Sequence, residues 1–486
     1  MKLAPCLLAV LLVIAAPVST LFSAEPLRAG AATSVITPEI GRDIIGGFVP
    51  SPSKHIHDEL HARCLVLDDG QMKIALVVCD LLGIHRVVSD EARRIIQEKS
   101  GIPPECVMIS CTHTHSASSA LGEARLQVDQ QPDDYQRFVA QRIADGVARA
   151  LNNLRPAQLA FGMADAPEHV NNRRWHMQAG TVPPNPFGGQ DLVKMNPPAG
   201  SPNLVEPAGP VDPTVLFIAV RGTDGFPISI FAAYSLHYVG GEGPGHVSAD
   251  YYGYFCESLK QLMTSGDATP LDVDRPPFVA LMANGTSGDI NNIDFLQTRG
   301  PKGSKKPYEQ MRFVAEDVAK KVHAATAKLE YRDGLTLASR YREPTIAWRR
   351  PNDEQKKWAS DTIAAGPKSK SDLSFIYAER VTRLAAYPET TTIPLHVLCI
   401  GDVCIGTMPC EVFCEIGLDF KRRSPFAKSF LVELAHGYVG YLPTPRQHQL
   451  GGYETWLGTS RLEVTASDKL LDNLIEMAKE LHEQVK

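Results

Sequence analysis

The chain lacks several features that would place it in common functional classes. Its only basic knot is "KGSKKP" at 302–307, and with a formal charge of −6 and a pI near 6.2 it has no electropositive footprint for nucleic acid. It has no CxxC pair, which excludes a zinc knuckle built from paired cysteines. No internal repeat is found, so a solenoid or propeller is not expected. Past residue 24 there is no long apolar stretch, and a membrane span is not predicted.

What is present points to a soluble exported protein. Residues 1–24 read as a signal peptide: Lys2 supplies charge, "CLLAVLLVIAAPV" the apolar core, and "STLFSA" a small-residue cleavage region. No cysteine stands at the cleavage point, which argues against a lipoprotein anchor. The composition, 44% hydrophobic and 21% charged over 486 residues, is enough to bury a large core. Of ten cysteines, nine lie beyond the signal, mostly inside apolar runs. Buried thiols are expected, with Cys399–Cys404 or Cys410–Cys414 bridges allowed but not required.

Strand-like runs flank the turn "DDGQ" (68–71), and a helix is expected at 89–101, capped by Ser89 or Asp90 and ended by Gly101. The run "CVMISCTHTH" (106–115) then reads as a strand, giving an α/β order. Helices are expected at 133–153, near 250–264, at 308–329, within 353–387 and at 467–485. Strands are expected at "TVLFIAV", "PISIFAAYSLHY", "PFVALMAN", near 335–348 and at "SFLVELA". "IPLHVLCIGDVCIGTMP" reads as a hairpin across Gly401 and Asp402. Residues 178–213 form a Pro/Gly-rich loop, a natural lid. Apolar strands repeatedly end in bursts of His, Asp, Asn, Glu or Gly. This favours one catalytic domain over 25–486, with mixed sheets flanked by helices.

Four strand-end clusters carry the chemistry: His113 with His115, His237, Glu411 and Tyr453. Were 106–115 a regular strand, His113 and His115 would share a face. Histidines plus a carboxylate are a donor set for catalytic zinc, and a further imidazole can move the proton. Each residue also has a plainer use. A histidine packs or caps, a strand-end glutamate faces solvent, and a tyrosine beside glycines makes a turn. Cys111 could be a ligand or nucleophile only if strand pairing stayed regular.

Six segments in order resemble the neutral/alkaline ceramidase family: "SCTHTHS", "VNNRRW", "HYVGGEGPGHVSADYYGY", "NGTSGDINN", "MPCEVFCEIG" and "LGGYETWLGTSRL". The resemblance spans roughly residues 30 to 480 and covers that family's catalytic domain, without its C-terminal β-sandwich. It implies zinc held by His113, His237, Glu411 and Tyr453, with His115 as general acid/base. Arg173 would contact substrate or a developing oxyanion, and Asp289 would orient groups at the site. Asn291 stands where the family has serine; it can donate a hydrogen bond but cannot act as an acyl nucleophile. The implied reaction is hydrolysis of an N-acyl amide, of a lipid or small molecule. A lipid substrate would bring transient contact with a membrane surface. The alternatives are a different metallohydrolase, or a degenerate member that binds lipid or glycan without turnover. "NGT" (284–286) is formally a glycosylation sequon, discounted because the resemblance puts it beside the site.

Overall fold

A computed structural model describes residues 26–122, 130–265, 275–297 and 306–485. The expected signal peptide and most of the 302–307 knot lie outside them. Eight strands make one sheet: β1 (Arg28–Val35), β2 (His61–Asp68), β3 (Lys73–Cys79), β4 (Val107–Cys111), β5 (Arg155–Asp165), β6 (Thr214–Gly222), β7 (Pro227–Tyr234) and β8 (Val279–Asn284). Their spatial order is β8-β7-β6-β5-β1-β2-β3-β4. A second sheet has the order β9-β10-β11-β12, from β9 (Leu337–Arg342), β10 (Leu395–Ile400), β11 (Val403–Thr407) and β12 (Lys428–Val432). The principal helices are α1 (Arg86–Ser100), α2 (Asp134–Asn152), α3 (Asp250–Thr264), α4 (Glu309–Thr326), α5 (Asp353–Ala365), α6 (Leu373–Ala385), α7 (Cys414–Arg423) and α8 (Ala466–Gln484).

The layers follow from side-chain alternation. In β10, Leu398 and Ile400 point into a core shared with Leu65, Leu76 and Leu281 of the first sheet. Leu395, Val397 and Cys399 point the other way, onto Ile416, Phe420, Leu474 and Leu481 of α7 and α8. The first sheet's outer face is covered by α1 and α2 at one end (Val88, Ile96, Val139, Ile143) and by α3 and α4 at the other (Phe255, Leu259, Val314, Val318). The result is helices, sheet, sheet, helices. Strands covered on both faces read as continuous apolar runs, as "KIALVVC" and "LHVLCI" do.

Within these two sheets most neighbouring strands are antiparallel, but three pairs are parallel: β3 with β4 (Val77 opposite Ile109), β7 with β8 (Ala232 opposite Met282), and β11 with β12 (Ile405 opposite Phe430). The segment after β12 stitches their carboxyl ends together. The Glu433 N–H donates to the Asn284 carbonyl at 3.2 Å, Leu434 N–H to Cys410 at 3.1 Å, and His436 N–H to Ile109 at 2.8 Å. Polar residues following β4, β7, β8 and β11 are thereby gathered in one place.

Several expected boundaries move. Strand β4 stops at Cys111, so the strand expected over 106–115 does not reach the histidines. His113 takes φ +69°, which ends the alternation. Helix α1 begins at Arg86 because the His85 imidazole accepts the Val87 N–H, while Ser89 is buried one turn in. Gly101 ends it as expected, with φ +72°. The 178–213 loop is partly structured: Val193–Met195 and Leu204–Pro207 flank Arg174–Met177 in a three-stranded sheet. All nine cysteines among the described residues are buried free thiols. Within the described residues no helix is long and apolar enough to cross a membrane.

Candidate metal centre

His113 and His115 come together through a turn. The left-handed backbone at His113 directs its ring inward, and ring centroids of His113 and His115 lie 4.8 Å apart. His237, three residues beyond β7, brings its ring to 4.7 Å from His113 and 5.6 Å from His115. One ring nitrogen from each of the three histidines lies within 4.8 Å of the other two. Glu411, just past β11, places Oε2 at 3.3 Å from His113 Nε2 and 3.9 Å from His237 Nε2.

The outward nitrogens of two rings are anchored. His113 Nδ1 lies 2.6 Å from the Leu82 carbonyl oxygen. His237 Nδ1 lies 3.2 Å from both the Ser287 carbonyl and the Ser287 hydroxyl. A carbonyl only accepts, so Nδ1 carries the hydrogen and Nε2 keeps its lone pair. The inward atoms are left without partners: His115 Nε2, His237 Nε2 and Glu411 Oε2 are buried and make no hydrogen bond. Buried polar atoms are normally satisfied, so a convergent set of bare lone pairs calls for a cation. Imidazole nitrogen with carboxylate oxygen is a set that suits zinc.

The surroundings keep these groups in metal-binding form. Burial, reinforced by the neighbouring His113 and Arg173, pushes the His115 imidazole well below its ordinary range and holds it neutral. Burial with Arg173 and the other two imidazoles does the same to His237. Burial alone would raise the Glu411 carboxyl, but His113 and the Tyr441 and Tyr438 hydroxyls bring it below its usual range, leaving it ionised. Tyr438 donates to Glu411 Oε1 at 2.7 Å. His115 is stacked on Tyr238 with centroids 3.6 Å apart. Behind it, a Cβ at Gly46 would lie 2.2 Å from the His115 carbonyl oxygen, so this contact requires glycine.

The remaining sequence-predicted residues fall into two groups. Arg173 and Tyr453 adjoin the cluster. Arg173 Nε pairs with Glu454 at 2.9 Å, and its Nη2 donates to the Gly288 carbonyl (2.8 Å) and the Tyr441 hydroxyl (2.9 Å). Glu454 also pairs with Arg174, at 2.7 Å. Tyr453 packs its ring edgewise on Tyr441 (5.6 Å) and Phe48 (5.8 Å). Burial holds its phenol above the ordinary range. Asp289 and Asn291 are instead engaged in scaffolding. Asp289 accepts from the Cys414 N–H at the start of α7 and from the Asn172 amide, both at 2.8 Å. The Asn291 amide donates to Asn196 at 2.6 Å, and its oxygen accepts the Ile293 N–H at 2.9 Å. Cys111 is buried, and burial raises its thiol far above its usual range, which leaves it inert. Asn284 of the sequon is fully buried.

Sequence reasoning missed Tyr438, Tyr441, Glu454, Ser287 and Glu433. Glu433 had a signal: it is the one charged residue in the apolar run "SFLVELA". Beyond Tyr438 lies a cavity of about 680 Å³ lined by Arg86, Gln130, Trp348, Thr392 and Arg461 among others, a volume in the range of small-molecule sites.

No family profile matches the chain. Solved structures do. A crystal structure of neutral ceramidase from Pseudomonas aeruginosa aligns with a TM-score of 0.67 and 16% identity, over 95% of this chain and 75% of that one. A structure described as ceramidase complexed with C2 aligns with a TM-score of 0.69 and 17% identity, over 95% and 76%. The fold is that of these structures: mixed sheets flanked by helices, of the type the motifs led one to expect.

Proposed function

We propose that the protein is an exported, zinc-dependent hydrolase of the neutral ceramidase type that cleaves an N-acyl amide. The reading is carried by one observation: buried, partnerless Nε2 and Oε2 atoms of His115, His237 and Glu411 converge beside His113. Likeness of fold to the ceramidase structures supports it. His113, His237 and Glu411, with Tyr453 as a fourth donor, would hold the metal. When bound, zinc supplies a Lewis acid that polarises a carbonyl and lowers the pKa of water.

The protein's own groups do the rest. His115, neutral and with Nε2 free, takes a proton from the attacking water and returns it to the departing amine nitrogen. Arg173, held by Glu454 and the Gly288 carbonyl, offers a fixed cation to an oxyanion that develops as water adds to the amide. Asp289 positions the Asn172–Arg173 segment against the start of α7. The cavity beyond Tyr438 presents Arg86, Gln130 and Thr392 beside Trp348, a lining that suits an N-acyl compound with a hydrogen-bonding head group.

A panel of N-acyl amides varied in chain length and head group, assayed with zinc and after chelation, tests this. The expected outcome is amide hydrolysis that disappears on chelation and returns with zinc. Zinc-loaded protein that turned over no member of the panel would sink the proposal.

A further inference from the structure

Five arginines among the described residues are buried. Four of them meet a carboxylate: Arg63 at Asp80, Arg93 at Asp90, and Arg173 and Arg174 at Glu454. Arg461 is the exception. It is 4% exposed, and its guanidinium hydrogen-bonds only to carbonyl oxygens, Val439 through Nε at 3.1 Å and Tyr438 through Nη2 at 3.0 Å. Buried arginines are ordinarily paired, and two carbonyls take its hydrogens without cancelling its charge. Arg461 lines the cavity of about 680 Å³ beyond Tyr438. A second donor in that cavity is also unmet: Trp348 lines it, is 6% exposed, and its indole N–H has no acceptor. The other charges there cancel, because Arg86 pairs with Asp90 and Glu343, and Arg93 with Asp90.

We infer that this cavity receives a carboxylate on the amine half of the substrate, so that the amide cleaved is an N-acyl amino acid. This rests on the hydrolase reading given above. Guanidinium is the cation whose planar set of donors matches a carboxylate, and an indole N–H adds one more donor. A neutral head group would leave the Arg461 charge unmatched. Tyr438 is the partition between this cavity and the histidine cluster: the Arg461 guanidinium carbon lies 5.6 Å from its ring centroid, and its hydroxyl donates to Glu411 at 2.7 Å. Water adds at the acyl carbon, the C–N bond breaks, and one water proton goes to the departing nitrogen. The products are a carboxylic acid and a free amino acid. The released acid carries a carboxylate too, and the test separates it from the amine half.

Three compounds with one acyl chain test this on the full chain: an N-acyl amino acid, its carboxamide and the free acid. In the parent, kcat/KM for the carboxylate is expected to exceed that for the carboxamide about 10- to 100-fold, the range for hydrogen bonds to a charged group, mostly through KM. Arg461→Gln should erase the preference, and Arg461→Lys, which keeps the cation, should retain part of it. Trp348→Phe, which keeps a ring and loses the N–H, should reduce it. Equal kcat/KM for the two amides in the parent would overturn the inference and leave hydrolysis itself in place. Inhibition by the free acid that depends on Arg461, with no such dependence for the N-acyl amino acid, would also overturn it by giving the cavity to the released acid. If Arg461→Gln does not fold, since Arg461 also holds two backbone carbonyls, Trp348→Phe carries the test. If the parent cleaves neither amide, the hydrolase reading fails, and calorimetric binding of the carboxylate against the carboxamide still decides the cavity.

Discussion

Among the described residues, two places bring together three side chains of metal-binding type, and they differ in what completes them. His113 and His237 are buried and His115 half-buried, with Nε2 of His115 and His237 making no hydrogen bond. Glu168 and Asp317 reach the surface beside a buried His169, and an ammonium already sits among them. Lys321 pairs with Glu168 and lies 3.1 Å from Asp317, while His169 Nε2 is 2.8 Å from the same aspartate. The second group is a closed ion-pair network; the first keeps buried donor atoms that make no hydrogen bond. Residue type and proximity are shared, so the state of the donor atoms is what distinguishes a site from a surface.

The largest effect should come from removing a donor at the buried cluster. His237→Ala is expected to lower zinc affinity by more than about 100-fold, beyond the range of outer contacts, and to abolish hydrolysis. His169→Ala should leave bound zinc, measured by atomic emission, and turnover as they are. Equal metal loss in the two variants would erase the contrast.

Next comes the buried counter-charge. Glu454 neutralises Arg173 and Arg174, which are themselves buried. Glu454→Ala strands two guanidiniums and should cost about 3–5 kcal/mol in urea unfolding.

The two environments also predict opposite pH behaviour. Burial raises Asp250 and Asp289 from 3.8 to about 6, so the native state holds these protons more tightly than the unfolded chain. Their contribution to stability therefore grows as pH falls from 7 toward 4. At the surface group, Lys321 lowers Glu168, and His169 with Lys321 outweighs burial to lower Asp317. Their contribution is present above the unfolded values and is lost as pH falls through the folded ones. Melting temperatures at pH 7 and pH 5 should show a smaller gain on acidification in Asp289→Asn than in the parent. A gain of parental size in that variant would refute the assignment. The smallest effect is expected from Lys321→Met, about 1 kcal/mol or less, because its ion pairs are solvent-screened.

The sequence made the fold legible where strands are covered on both faces, since continuous apolar runs need no partner to be identified. The β10–β11 hairpin fell where Gly401 takes φ +60°, a conformation that its two-residue turn requires. The pair in "HTH" was noticed for a reason that does not hold: strand alternation was expected to align the rings, and a left-handed turn does so instead. Backbone reversals at non-glycine residues leave little trace in sequence. Asp289 was expected to orient groups and Asn291 to donate a hydrogen bond; Asp289 holds the Asn172 amide and the Arg173 N–H, and Asn291 donates to Asn196. Glu454 and Glu433 were passed over because a lone acid reads as solvated until its partners, well over a hundred residues away, are known.

The stitching of three parallel strand ends by residues 433–436 would tie retention of a bound metal to the packing of both sheets. Donors for one ion would be supplied from both sheets. Exchange of a bound ion would then require these strand ends to open locally, and its rate in the absence of chelator attack would track that opening. The ion would then serve as a rivet as well as a reagent. Chain that folds in metal-starved surroundings should be the population most readily cleared by proteases.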